Sequence, residues 1–231
     1  MSDKKKESSL LVRLSFLDVC SKGFWLFFDN LGLFLVLSLM WFILSLFIIP
    51  LPAATAALIY MSDRISFGES VGVKDFFSAF KKYFLASTLG FLALAFISFL
   101  SLIGFLFYGF QFGILGKITA AFMGCIFIIN MIASLYIFPL CFRIKNPAAV
   151  IKGAVTLGIC HPAFSVMLLV FLILLFLTGV VTGGGIVLVT PGLSAAVISS
   201  AIRELSYKYG FSEIPRKQER TLKETFFPWK E

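Results

Sequence analysis

The sequence predicts an all-α integral membrane protein, and three features of its composition and charge lead to that prediction. Of its 231 residues, 59% are hydrophobic and only 14% are charged, and the mean hydropathy is +0.99. A soluble domain is about a quarter charged, and one of this length still leaves roughly a quarter to a third of its surface in water. The apolar residues form long runs, and the basic residues fall between these runs. This pattern excludes a soluble globule, a disordered chain and a coiled coil.

About six membrane segments follow from the apolar runs. A helix of about 20 apolar residues, rising roughly 1.5 Å per residue, crosses the roughly 30 Å hydrocarbon core of a bilayer. Five runs approach this length, and the last of them contains Pro191. A sixth run begins after Pro52 and soon meets Asp63, so we expect a short helix that re-enters the membrane. The predicted segments are spans 31–49, 84–107, 118–140, 163–182 and 186–203, the short span 53–67, and an interfacial helix over residues 8–28.

The basic residues predict the orientation of these segments. Of the 20 Lys and Arg residues, only Lys117 lies outside four stretches, which are residues 1–29, 63–83, 141–161 and 203–231. Basic residues accumulate on the cytoplasmic side of a membrane. We therefore expect a multi-pass protein with both termini in the cytoplasm and three helical hairpins joined by amphipathic cytoplasmic elbows. Residues 1–203 then form a single transmembrane domain, and residues 204–231 form a charged cytoplasmic tail.

The net charge of +8 is explained by these cytoplasmic loops, so we expect no nucleic-acid partner. The cysteines form no C-x-x-C pair, and His161 is the one histidine of the chain. We therefore expect free thiols packed as small hydrophobic groups and no metal site. The four cysteines are Cys20, Cys125, Cys141 and Cys160.

An internal repeat marks the first candidate site. Residues 52–59 (PAATAALI) resemble residues 191–198 (PGLSAAVI), so that in both places a proline opens a helix and a small hydroxyl residue follows three positions later. Helices broken at corresponding positions of two halves often flank a binding site in transporters. The alternative, which we favour from sequence, is that the breaks only shorten and tilt the helices. The candidate residues for a solute or packing site are Pro52, Thr55, Asn130, Thr190, Pro191 and Ser194.

Asn130 belongs to this set because it is the strongest polar group deep inside a predicted span. An asparagine in such a position more often joins two helices by hydrogen bonds than it binds a ligand.

An aromatic and basic segment before the span 84–107 is the second candidate site. Its phenylalanines follow helical spacing and predict a stripe lying on the membrane surface. A structural elbow between hairpins is the interpretation we favour, and a docking surface for a partner is the alternative. The candidate docking residues are Phe76, Phe77, Phe80, Lys81 and Lys82.

No catalytic chemistry is visible in the sequence. The four clear spans contain no Asp, Glu, Lys, Arg or His, which are the usual marks of ion pathways inside a membrane. Neither the metalloprotease motif H-E-x-x-H nor the nucleotide-binding motif G-x-x-x-x-G-K-[ST] is present. We therefore expect that the protein is not an enzyme and that it carries no cofactor.

Three blocks of the chain resemble the YesL-like family of bacterial integral membrane proteins, whose function is unknown. These blocks are residues 50–58 (PLPAATAAL) after the Trp-bearing residues 40–42, residues 75–82 (DFFSAFKK), and residues 136–154. The resemblance covers about residues 25–175 and weakens in the last quarter. It implies a role linked to sugar uptake, because genes of this family often lie beside carbohydrate ABC permeases. It carries over no catalytic residues.

From these features we expect an accessory or scaffold component of the bacterial cytoplasmic membrane, associated with carbohydrate transport of the ABC type. The expected partners are membrane lipids and an ABC permease or another membrane protein. The alternative is a small carrier or channel for a neutral solute or lipid, with its site at the two proline-broken helices.

The predicted topology is tested by labelling cysteines in whole cells. A cysteine placed directly beside Lys117 should react with a membrane-impermeant reagent from outside, because this end of the hairpin lacks the basic residues of the cytoplasmic side. The substitution Lys217→Cys should react only after the membrane has been opened. Labelling of both positions from the same side would contradict the topology.

Overall fold

The structure is a computed structural model that describes residues 16–110, 113–144, 146–183 and 185–208, apart from the side chains of residues 147, 186 and 206–208. Over these ranges the chain forms helices and no strand, so the predicted all-α class is confirmed. Residues 8–15 of the predicted interfacial helix and residues 209–231 of the predicted tail lie outside the described ranges. The helices are α1 (Phe16–Asp29), α2 (Leu31–Ser45), α3 (Leu51–Ser66), α4 (Val73–Gly109), α5 (Ile114–Cys141), α6 (Pro147–Cys160), α7 (Pro162–Val181), α8 (Gly185–Leu188) and α9 (Thr190–Lys208).

The two helices of the internal repeat, α3 and α9, lie side by side and run parallel. The hydroxyl oxygens of Ser62 and Ser199 are 2.9 Å apart, and one turn later Arg203 donates to the carbonyl of Ser66 at 3.5 Å. Both contacts join residues 137 positions apart in the chain, and a constant separation of this kind means that the helices run in the same direction. The first turns of both helices therefore lie at one end of the bundle, the proline end, and their last turns at the other, the charged end.

Small residues allow both helices to pack closely within the bundle. Eleven of the 16 residues of α3 are buried, and the alanines of α3 and α9 are at most 1% exposed. Helices in a membrane associate through close packing of this kind, because the surrounding lipid is as apolar as their side chains. The proline in each first turn is compatible with the helix, since an N–H in that turn has no partner within the helix. The buried alanines are Ala53, Ala54, Ala56 and Ala57 of α3 and Ala195, Ala196 and Ala201 of α9.

Helix α1 packs along α9 in the opposite direction. Gly23 faces Val197, and Phe27 lies beside Gly192 near the start of α9. The buried residues of α1 are four positions apart, which places them on one helical face. Over its described part, the segment predicted as an interfacial helix is helical and packs this face on the bundle. Helix α2 then leaves α1 at an angle of 94°.

The first turns of α4 continue directly into its apolar part. The sequence predicts an elbow followed by a span that begins at residue 84, whereas α4 is one helix of 37 residues, about 55 Å long. The carboxylate of Asp75 accepts a hydrogen bond of 2.9 Å from the Gly72 N–H and so caps the start of the helix. Helix α5 returns antiparallel along α4, since Phe91 packs on Phe138 and Gly104 lies against Met123.

Helix α6 was not predicted as a helix from the sequence. Its start is fixed by the Asn146 side chain, which accepts a hydrogen bond of 3.1 Å from the Ala148 N–H. It packs against α5 through Gly158, where a side chain would collide with Ile132. Helix α7 follows, and a hydrogen bond of 2.6 Å between Tyr136 and Ser165 joins it to α5.

Three of the described helices, α4, α5 and α7, are long and apolar enough to cross a membrane. The bent pair α1 and α2 makes a fourth if the two count as one broken span. Five near full-length spans are therefore not confirmed. Helix α3 reaches only about 24 Å and ends in charged residues, in keeping with the predicted short segment. Helix α9 continues to Lys208, past the predicted boundary at residue 203.

The contact between α1 and α9 gives a test of this packing. A Cβ atom at Gly23 would lie 2.7 Å from the Cα of Val197, whereas a Cβ at Gly32 meets no atom within 4 Å. We expect Gly23→Ala to lower the free energy of unfolding by about 1–3 kcal/mol, because the backbones must separate. Gly32→Ala, the matched control, should leave it unchanged or raise it by at most about 1 kcal/mol. Unfolding in detergent measures both, and equal stabilities would refute the close contact.

Candidate functional site

A pocket of about 250 Å³ lies at the proline end between α2, α3, α7 and α9. We call it the proline pocket. It brings together Thr55, Thr190, Pro191 and Ser194, four of the six residues predicted for a solute or packing site. Pro52 is buried in the first turn of α3 and is not part of the pocket lining. The lining consists of Trp41, Thr55, Leu58, Ile59, Leu172, Phe176, Thr190, Pro191, Ser194, Ala195 and Ile198.

The three hydroxyl groups of the pocket already donate their hydrogens to backbone carbonyls. Thr55 donates to Leu51 at 2.9 Å, and Ser194 donates to Pro191 at 2.8 Å. Thr190 donates to Gly185 at 2.9 Å. A hydroxyl oxygen keeps acceptor capacity when its hydrogen is used. The pocket therefore offers acceptors to a ligand, and the hydroxyl hydrogens are already committed within the protein.

Trp41 is a pocket residue that the sequence analysis missed. Its indole N–H donates to the Thr55 hydroxyl oxygen at 3.0 Å and so joins α2 to α3. The one sequence signal that could have found it is the need of a tryptophan N–H for a partner in an apolar span. This bond occupies a lone pair of the Thr55 hydroxyl oxygen. The hydroxyl oxygens of Thr190 and Ser194 therefore have more capacity to accept a hydrogen bond from a ligand.

The lining of the proline pocket is uncharged. None of its lining residues carries an ionisable side chain. Backbone amides near the two helix starts are also occupied, because the Ala54 N–H donates to Pro50 and the Leu193 N–H donates to Val189, both at 2.9 Å. A pocket of this kind favours a neutral and mostly apolar ligand over an anion. It contains no nucleophile paired with a base.

Asn130 lies away from the pocket, between α4 and α5. Its side-chain amide donates to the carbonyl of Leu94 at 2.7 Å and to the hydroxyl of Ser98 at 2.6 Å. These two bonds join the helices, as expected from the sequence for an asparagine inside a span. The structure thus separates Asn130 from the other predicted site residues.

The predicted aromatic stripe on α4 is only partly on the surface. Phe76 is fully buried in the core, because the first turns of α4 pack against α3 and the α5–α6 connection. Its placement in a docking surface is therefore wrong. Phe80 is partly buried, whereas Phe77, Lys81 and Lys82 are exposed.

Partly buried charges join four parts of the chain at the charged end. Arg143 donates to the carboxylate of Asp63 at 3.1 Å, and the positive charge of Arg203 also lies near this carboxylate. Lys22 of α1 pairs with Glu204 of α9 at 2.6 Å. The sequence analysis missed these pairs, because the partners lie 80 and 182 positions apart. These pairs join helices that are far apart in the chain and so restrict the relative positions of the helices.

In the described ranges, no group of three His, Cys, Asp or Glu side chains is placed to hold a metal ion. The four cysteines are free thiols there, and Cys125 and Cys160 are exposed.

Comparison with known proteins gives one match. No curated protein and no solved structure matches the chain. The family match begins in α2, includes α3 and ends within α4, so it contains Trp41 and Thr55 of the proline pocket. The third block of the sequence resemblance, residues 136–154, lies outside it. Residues 33–105 are similar to the family described as "Protein of unknown function, DUF624", which confirms for this part of the chain the resemblance to a family of unknown function.

Proposed function

We propose that this protein is a non-enzymatic membrane protein that binds a neutral, mostly apolar molecule in the proline pocket. The observation that carries the proposal is the meeting of Trp41, Thr55, Thr190 and Ser194 around one pocket, although these residues lie up to 153 positions apart in the chain. The lining supplies hydrogen-bond acceptors on an apolar wall and no ionisable group. This favours recognition of a small lipid or apolar solute over catalysis.

The size of the pocket limits the ligand. Pockets for drug-sized molecules usually measure roughly 300–1,000 Å³, whereas this one measures about 250 Å³. A small apolar alcohol or the end of a lipid chain therefore fits it better than a sugar. A sugar would also place many hydroxyl groups against Leu58, Leu172 and Phe176, which offer them no hydrogen bonds.

The packing between α3 and α9 supports binding rather than transport through the protein. Beyond the pocket the two helices are in contact through the hydroxyls of Ser62 and Ser199 and through Arg203 and Ser66. A carrier or channel for a neutral solute or lipid needs this contact to open. Liposomes that contain the purified protein and release no trapped solute would favour the binding function over the carrier.

Binding in the pocket is tested by tryptophan fluorescence. With Trp25→Phe and Trp229→Phe, Trp41 becomes the one tryptophan, since the chain contains three. Titration with a medium-chain alcohol should change its emission. Ser194→Leu should weaken binding at least tenfold, because the added carbons occupy the pocket, and Thr55→Val should weaken it less, about threefold, through loss of the Trp41 contact.

Thr119→Val is the matched control for Thr55→Val. Thr119 also donates to a carbonyl four residues earlier at 2.9 Å, but it lies outside the pocket. The Thr119→Val substitution should leave the affinity for the alcohol unchanged. An equal effect of both threonine variants, or unchanged binding by the Ser194→Leu variant, would refute the pocket as the site.

The second candidate function is an accessory or scaffold component of a carbohydrate ABC transporter in the bacterial cytoplasmic membrane. It is favoured by the YesL-like resemblance and by the exposed side chains of Phe77, Lys81 and Lys82 at the charged end. The contact between Lys22 and Glu204 places both ends of the described chain at this same end of the bundle. We propose that this end faces the cytoplasm, where a permease or its ATPase is accessible.

Purification from the native membrane in mild detergent tests the accessory function. A permease should copurify in stoichiometric amount, and the double substitution Lys81→Glu and Lys82→Glu should remove it by reversing the surface charge. Lys117→Glu, at the opposite end, should leave the complex intact. Purification of the protein alone, together with unchanged sugar uptake after gene deletion, would refute this function.

A further inference from the structure

The position of the proline pocket along α7 gives its depth in the membrane. Helix α7 has 20 residues and is long and apolar enough to cross a bilayer. Leu172 and Phe176 line the pocket, and they lie ten and fourteen residues after the first residue of α7. At a rise of roughly 1.5 Å per residue, they lie about 15–21 Å from the start of the helix. The middle of the hydrocarbon core is roughly 15 Å from either edge, so the pocket lies at the depth of the lipid chains.

The pocket opens sideways, toward the lipid. Phe176 belongs to the lining and is also 50% exposed. Ile173 and Leu177, which lie beside it on α7, are exposed to a similar degree, as expected for the lipid-facing side of an apolar helix. Toward the charged end, the hydrogen bond between Ser62 and Ser199 closes the space between α3 and α9. The open route to the pocket therefore passes Phe176.

Ser194 is the accessible hydrogen-bond acceptor of the pocket. Its side chain is partly exposed, whereas Thr190 is only 8% exposed. The Ser194 hydroxyl hydrogen is donated to the carbonyl of Pro191 at 2.8 Å, so the oxygen can accept a hydrogen bond from a ligand. An alcohol supplies a matching donor. An ether or a ketone supplies only acceptors, for which Ser194 has no hydrogen left.

We propose that the proline pocket takes the hydroxyl end of a long-chain alcohol dissolved in the bilayer, which enters past Phe176 and donates a hydrogen bond to the oxygen of Ser194. This inference rests on the proposed binding function and adds to it the chemical class of the ligand and its route. The pocket measures about 250 Å³, so it holds the hydroxyl end while the rest of the chain stays among the lipid chains. At this depth neither water nor headgroups compete for the hydroxyl hydrogen.

Binding in phosphatidylcholine nanodiscs tests the ligand class, with Trp41 emission of the single-tryptophan variant as the readout. Hexadecanol should bind about tenfold more tightly than its methyl ether, because the ether has the same chain and no donor. Ser194→Ala keeps the space and removes the acceptor, so the alcohol and the ether should then bind equally. Ser134→Ala is the matched control and should keep the preference. Ser134 also donates to a carbonyl three residues earlier, at 2.6 Å, but lies outside the pocket.

The outcomes of this titration separate the inference from the function on which it rests. Equal binding of the alcohol and the ether by the protein with Ser194 intact would overturn the inference and leave the proposed binding function standing. An unchanged preference in the Ser194→Ala variant would also overturn it. Absence of binding by hexadecanol, its ether and the medium-chain alcohol alike would refute the inference together with the binding function.

Two further measurements test the depth and the route. Phosphatidylcholine brominated near the middle of its chains should quench Trp41 more strongly than phosphatidylcholine brominated near its headgroup. Phe176→Ala should speed the release of hexadecanol about threefold or more, because it widens the opening. Phe122→Ala, at a phenylalanine of α5 that is 63% exposed and lies outside the pocket, should leave the release rate unchanged. Stronger quenching from the headgroup region, or equal rates in both variants, would overturn entry from the lipid.

Discussion

The close parallel contact between α3 and α9 is the constraint on which the rest of this structure depends. Buried alanines along both helices allow close packing within the bundle, and the Ser62–Ser199 hydrogen bond joins the two helices in register. Because α3 is too short to cross the hydrocarbon core alone, its position depends on the longer helices around it. α1 packs along α9, and α4 and α5 pack beside α3. Beyond the proline pocket, this contact closes the space between the two helices.

The charged end and the proline end follow from this parallel arrangement. Because the helices are parallel, Asp63 and Arg203, which lie toward their last turns, come together at one end, and Thr55 and Ser194, near their first turns, come together at the other. At the charged end, Arg143 compensates Asp63, which is only 9% exposed. At the proline end the polar groups are hydroxyls with committed hydrogens. One end therefore carries charged groups, and the other carries neutral polar groups on an apolar wall.

The sequence by itself determined the helical class, the apolar character and the two proline-started helices, because these depend on local composition and periodicity. It also identified Thr55, Thr190, Pro191 and Ser194, which share a pocket in the structure. Only the tertiary structure decided that Trp41 joins them, that Phe76 faces the core, that Asn130 bonds Leu94, and that Arg143 pairs with Asp63. In a chain this apolar, many helix faces look alike in sequence. Which faces meet is decided by close packing and by hydrogen bonds between residues far apart in the chain.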